Sequence, residues 1–215
     1  MAGPIGRAYA RTVANADRLP RPELPEQSAD DREVELAKRV RDTPRDAELR
    51  GVFFRMLDHA LREDPSASAW FASQYGGSFR AYLSYPLHGY LLRVDAAARL
   101  LGPTIALGIE RLHARAAEVL ATTSIAKLFL RPEDFRPFQL LQRLDRSRAL
   151  LANYGEWRVE GREGDVTIVV RDEYLWLREA WVPAIASIFP ALGLPPARVD
   201  CELDGPYSGR LRVQW

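Results

Sequence analysis

The sequence predicts an α+β fold, with a helical layer followed by a four-stranded antiparallel sheet built as hairpin, helix, hairpin. Three observations carry this. Up to about residue 151, apolar residues recur at the 3–4 spacing of core-facing helices, punctuated by cap and proline signals. Near Tyr154 the period drops to two, in YGEWRVEGREGDVTIVVRDEY. After one more apolar stripe at helical spacing, the alternation returns in VDCELDGPYSGRLRVQW, which closes the sequence.

Taken in order, residues 1–31 read as an N-terminal arm and proline-rich linker, and residues 32–215 as a single α+β domain. That domain is helical over 32–151 and forms its sheet over 152–215. Within the arm, Ile5, Tyr9, Val13 and Ala16 fall at helical spacing, while Arg7 and Arg11 add positive charge. Ile5, Arg7, Tyr9, Arg11 and Val13 are therefore the candidate docking residues. A short helix is expected over DREVELAKRV. In TPRDAELRGVFFRMLDHALRE, Thr43 reads as an N-cap with Pro44 at the first helical position. Ser84 plays the same part for SYPLHGYLLRVDAAARLLG, which Gly102 stops. Further helices are expected over PTIALGIERLHARAAEVLA and from Leu140 to Leu151, with Asp134 capping a turn between them.

In the sheet region, pairing Gly161 with Gly164 sets Val159 against Val166 and Trp157 against Ile168, all on one face. Val169 interrupts the polar face and marks the second strand as internal. A helix follows, with Leu177, Trp181, Ile185 and Ile188 as its stripe and Pro183 confined to its first turns. In the last hairpin, Cys201 is expected opposite Val213, Glu202 opposite Arg212 and Asp204 opposite Arg210, with a loop from Gly205 to Gly209.

Lys+Arg number 30 against Asp+Glu 29, which leaves no field to gather nucleic acid or an anionic membrane surface. Only Lys38 and Lys127 are lysines, an arginine bias that follows coding composition rather than phosphate recognition. With 1 cysteine there is no intramolecular disulfide, and no stretch has the apolar core of a signal sequence or a bilayer span. The expected setting is cytoplasmic.

The three histidines, His59, His88 and His113, have no partner at metal-ligand spacing and read as structural. His88 stands out because Tyr82, Tyr85 and Tyr90 surround it where a helix begins. YGGS at 75–78 lacks the flanking strand and the Lys–Ser/Thr of a phosphate loop, and no nucleophile elbow or zincin motif occurs. The carboxylates of DEYL lie at a strand-to-helix junction, where Asp172 reads as a helix cap. Trp157, Trp176 and Trp181 form core, or the wall of a small-molecule cavity between sheet and helices. Trp157, Trp181, Cys201, His88 and Tyr85 are the candidate cavity residues.

GVFFRMLDHAL, YPLHGYLLRVDAAARLLGPTIALGIERLH, LLANYGEWRVEG and RLRVQW together resemble a paralogous family of myxobacterial proteins about the length of this chain, catalogued as a domain of unknown function. The resemblance runs from about Val52 to Trp215 and leaves the arm outside it. That family in turn looks like the fold shared by haem nitric-oxide-binding domains, 4-vinyl reductase domains and TRAPP tethering subunits. The resemblance implies a sensory or assembly role. Haem-binding members use a histidine ligand and a Tyr-x-Ser-x-Arg motif, and the similar string Tyr82-Leu83-Ser84-Tyr85-Pro86 has proline in place of arginine. 4-vinyl reductase domains tend to carry several cysteines near the C-terminus, where this chain has Cys201. The sequence therefore calls for no haem or zinc.

Two functions follow as expectations. The first is a non-enzymatic adaptor that associates with a protein partner or itself through a helical surface and the docking arm. The alternative is a small-molecule sensor with a cavity between sheet and helices. No nucleic acid or membrane partner is expected.

Overall fold

The computed structural model of the protein describes residues 36–123 and 136–215. The docking arm, the linker, the start of the DREVELAKRV helix and the turn at Asp134 lie outside the described residues. Among those described, no helix is long and apolar enough to cross a membrane.

Helix α1, Leu36–Asp42, ends where the Thr43 hydroxyl donates to the Arg39 carbonyl at 2.7 Å. Thr43 thus closes α1 and does not cap the next helix. Between them lies a short strand, β1, Glu48–Arg50, and only then α2, Gly51–Ala60, which buries Val52, Phe54, Met56 and Leu57. The expected start of that helix was too early because Leu49 is needed as a strand residue. Helix α3, Pro65–Tyr75, begins with Asp64 accepting from the Ser66 and Ala67 amides, an Asp-Pro start that the sequence shows plainly. Ser84–Pro86 forms β2 and pairs with β1, with Leu49 opposite Tyr85. Ser84 is therefore a strand residue, and α4, Leu87–Leu101, starts three residues later than its signal.

Helix α5, Ile105–Thr122, starts at Thr104, whose hydroxyl accepts from the Leu107 amide at 3.2 Å. It crosses α4 closely: a Cβ on Gly108 would meet the Ala98 carbonyl oxygen at 2.0 Å. Helix α6 spans Pro137–Leu151.

The sheet follows as anticipated, in strand order β3-β4-β6-β5, all antiparallel: β3 Glu156–Arg162, β4 Asp165–Arg171, β5 Arg198–Gly205 and β6 Ser208–Gln214. Strand β4 is internal, as Val169 suggested. Both hairpin registers differ from expectation by two residues. Val159 lies opposite Ile168 and Trp157 opposite Val170, and the turn is Glu163-Gly164 with Gly164 at φ +88. In the second hairpin Cys201 faces Leu211 and Glu202 faces Arg210, around a Pro206-Tyr207 turn. The first turn stays two residues long but moves one position along, where Gly164 supplies the left-handed backbone, and the second is tighter than the expected Gly205 to Gly209 loop because Pro206 suits a turn. A two-residue slip leaves every side chain on its face. The outer charges re-pair accordingly: Arg212 binds Asp165 at 2.7 Å and 2.9 Å.

Strands β4 and β5 are joined by a π-helical turn, Leu177–Trp181, leading into α7, Val182–Ala191. Val166, Ile168, Val170, Leu211 and Val213 pack their inner face against Leu177, Ile185, Ile188 and Phe189, with Ala117 of α5 and Leu140 and Leu141 of α6 in the same cluster. The layered core is helices over one face of a twisted sheet, whose other face carries charge.

Candidate functional site

A carboxylate with zero exposure, Glu173, sits where β4 runs out. Strict alternation after Val170 would send Asp172 inward and Glu173 out. Asp172 instead adopts φ +51, the left-handed region, and so inverts the pattern and turns Glu173 into the protein. Asp172 is consequently no helix cap; the helical turn starts at Leu177 with Trp176 at its N-cap. The Glu173 amide donates to the Tyr207 carbonyl at 2.9 Å, which ties the inverted residue to the second hairpin.

Arg148 meets Glu173 from α6. Its position continues the stripe of Leu140, Leu141 and Leu144, so the helix drives it inward to 7% exposure. Its Nη2 donates to Glu173 Oε2 at 2.9 Å, and the guanidinium carbon lies 4.6 Å from the Tyr154 ring centre. Trp157 Nε1 donates to the same carboxylate oxygen at 3.2 Å, and the Leu175 amide to the other at 3.1 Å. Both Glu173 oxygens are thereby occupied. Burial opposes the charge on Arg148, and Glu173 more than offsets this, so its pKa is raised. Burial, then the Glu173 charge, pushes the Tyr154 phenol well above its ordinary range, so it keeps its proton.

The turn holding these groups is fixed from outside. Asn153 accepts from the Glu48 amide at 2.6 Å and donates to the Asp46 carbonyl at 2.8 Å. Gly155 follows at φ +72, with Arg148 3.3 Å from where a Cβ would stand.

Above this pair is an open cleft of about 1000 Å³, bounded by α6, the Asn153–Gly155 turn and strands β3, β4 and β6. Tyr154 and Trp157 line it with four arginines, Arg148, Arg158, Arg171 and Arg210, and four acids, Asp145, Glu156, Glu160 and Asp172, so its charge is balanced. The Tyr154 hydroxyl is buried beside the Arg148 guanidinium, its hydrogen-bonding neighbour, while Arg148 Nε and the buried indole N–H groups of Trp176 and Trp181 have no hydrogen-bond partner. Such orphans are rare in folded proteins and cluster where a ligand or water completes them.

Of the residues anticipated from sequence, Trp157 and Trp181 come together, ring centres 4.5 Å apart and edge to face. Cys201 lies on β5, the opposite edge of the sheet from Trp157 on β3, on the inward face but half-buried, and burial raises its thiol pKa. Tyr85 packs on Phe54 and Phe79 in the helical layer, and its hydroxyl accepts from the Arg80 amide at 2.9 Å. His88 is half-buried at the start of α4. The anticipated set is thus spread over three places. Arg148, Glu173 and Tyr154 were not anticipated. The available signal was an arginine on the apolar stripe of α6.

Residues 43–215 match the family described as protein of unknown function (DUF2378). The chain belongs to that family. No curated protein matches the sequence. Among solved structures, the chain is similar to the Fe(II) unliganded H-NOX protein from K. algicida, with TM-score 0.59 and 11% identity over 77% of this chain and 96% of that one. It is similar too to an H-NOX protein from S. oneidensis in the Fe(II)NO ligation state, with TM-score 0.57 and 12% identity over 77% and 98%. At these identities the likeness establishes the fold, whose helices-then-sheet order is that anticipated from the sequence.

Proposed function

We propose that this DUF2378 domain is a ligand-binding sensory module and that the cleft over Arg148 and Glu173 is its site. The observation that carries the reading is a buried, neutralised ion pair with unused donors beside it, opening onto a cleft. The fold neighbours support a sensory role over the adaptor role, since they are H-NOX proteins crystallised with Fe(II) or Fe(II)NO.

Haem itself does not fit the described residues. His113 is buried on α5 with Nδ1 2.9 Å from the Ile109 carbonyl, and its Nε2 lacks a partner. A macrocycle beside it needs a slot between helices and sheet. The inner sheet face is instead filled, with Val166, Ile168, Leu211 and Val213 at full burial against α7. The buried guanidinium that could hold a propionate, Arg148, is already neutralised by Glu173, whose charge would repel one. The ligand is therefore an organic small molecule bound in the cleft.

Isothermal titration and thermal-shift screening of metabolites against the full chain, run beside a hemin titration read at the Soret band, test this. Saturable binding that quenches Trp157 fluorescence, with no Soret shift, is the expected result. A stoichiometric Soret complex, or a ligand whose binding leaves Trp157 unaffected, overturns it.

A further inference from the structure

Helix α1 straps together the two turns that hold Glu173. The Tyr207 hydroxyl, at the tip of the second hairpin, donates to Asp42 Oδ2 at 2.8 Å and accepts from Lys38 Nζ at 3.3 Å, and Lys38 is itself paired with Asp42. Arg39 lies over the Trp176 and Tyr207 rings, 4.9 Å and 5.4 Å from their centres, and donates to the Tyr174 and Leu175 carbonyls at 3.3 Å and 3.5 Å. These neighbours fix the buried carboxylate: the Glu173 amide donates to the Tyr207 carbonyl at 2.9 Å, and the Leu175 amide to Glu173 Oε1 at 3.1 Å. Glu173 Oε2 then accepts from Arg148 and Trp157, which line the cleft. A continuous run of contacts joins α1 to the cleft.

The strap is lightly held. Its 7 residues include none that is fully buried, and Leu36 and Val40 rest half-buried on the core of the helical layer. A helix this short does not persist in water once undocked. Thr43, 4% exposed, and the fully buried Ala47 anchor the chain directly after it, so α1 can leave as a unit. In the sequence it is the element that the N-terminal arm leads into.

We propose that α1 is the output strap of the module: a ligand that displaces Trp157 or Glu173 shifts α1 between docked and released states and so reports occupancy to the arm. This rests on the reading of the cleft as the ligand site and names how that site is read out.

Hydrogen exchange and the Trp157 indole N–H resonance, both recorded on the ligand-free full chain, test it from each end. The α1 amides should exchange about tenfold or more faster than those of α5 around the fully buried Ile109 and Leu112. Tyr207→Phe, and Asp42→Asn on the exposed side of the clasp, should each speed α1 exchange about fivefold, leave α5 exchange unchanged and shift the Trp157 resonance. Trp157→Phe, made in the cleft, should change α1 exchange about threefold or more, because coupling is reciprocal. Acceleration shared equally by α1 and α5 would show that α1 opens only with the whole domain and would overturn the proposal. Faster α1 exchange with an unmoved Trp157 resonance would overturn it too, as would α1 exchange indifferent to Trp157→Phe. Either failure leaves the cleft as a ligand site, which stands or falls with the metabolite and hemin titrations.

Discussion

Glu173→Gln removes one buried charge while keeping an oxygen that can accept from Trp157 Nε1 and the Leu175 amide. Its partner Arg148 then remains as an uncompensated guanidinium with a side chain only 8% exposed. Breaking a buried pair by removing one member costs about 3–5 kcal/mol. For a protein of this size each kcal/mol moves Tm by about 2–4 °C, so the expected fall is about 6–20 °C. Arg148→Met leaves the Glu173 carboxylate unpaired and should cost a similar amount. The double variant leaves no buried charge, and its cost should fall well below the sum of the singles, with a coupling energy of about 3 kcal/mol or more. Urea denaturation of the four proteins at neutral pH measures all three quantities. Single losses under about 1 kcal/mol would mean that water reaches the pair, as at a surface ion pair, and the buried-site reasoning would be refuted.

Gly108→Ala should cost about 1–3 kcal/mol or more, because the added methyl meets the Ala98 carbonyl oxygen and forces α4 and α5 apart, whereas Gly89→Ala, with open space around its Cβ, should stabilise α4 by about 0.5–1 kcal/mol. Burial lowers the His113 pKa to about 4 from 6.5, so the ring is neutral in the folded protein and protonates first in the unfolded one. Its contribution is level above pH 6.5 and falls by about 3 kcal/mol as pH drops from 6.5 to about 4. His113→Leu should flatten the stability–pH curve in that window, and an unchanged slope would contradict the neutral, buried ring. Cys201, half-buried with its thiol pKa raised by burial, should react with iodoacetamide more slowly than a free cysteine and speed up in denaturant; labelling at the free rate in the folded state would place its thiol in water.

The sheet was legible because its two faces differ sharply, and alternation survives a change of register. Val159, Val166, Ile168, Leu211 and Val213 all reached the predicted face although both hairpins slipped by two residues. Turn geometry was the less legible part, since GREGD and DGPYSG each admit more than one tight turn. Leu203 was expected inward but is 45% exposed, because the chain shifts register between Leu203 and Gly205. In the helical layer, α3 was missed because PSASAWFASQY lacks a clear apolar stripe, although Asp64-Pro65 marks its start. Strands β1 and β2 were missed because three residues show no period. The site was hidden for a different reason. Glu173 turns inward only through the left-handed Asp172, a backbone event with no sequence pattern, and Arg148 reads as a surface residue unless the stripe of α6 is followed to its end.

The indole N–H resonances of the five tryptophans report most directly on whether the cleft is the ligand site. Titrating 15N-labelled protein with a metabolite that raises its Tm in the thermal-shift screen should shift the Trp157 signal, whose proton is shared with Glu173, and that of Trp181 against it, while Trp70 and Trp215 stay put. A saturating shift confined to Trp157 and Trp181 is the predicted result. Indole signals unmoved by any ligand that binds the protein would contradict it.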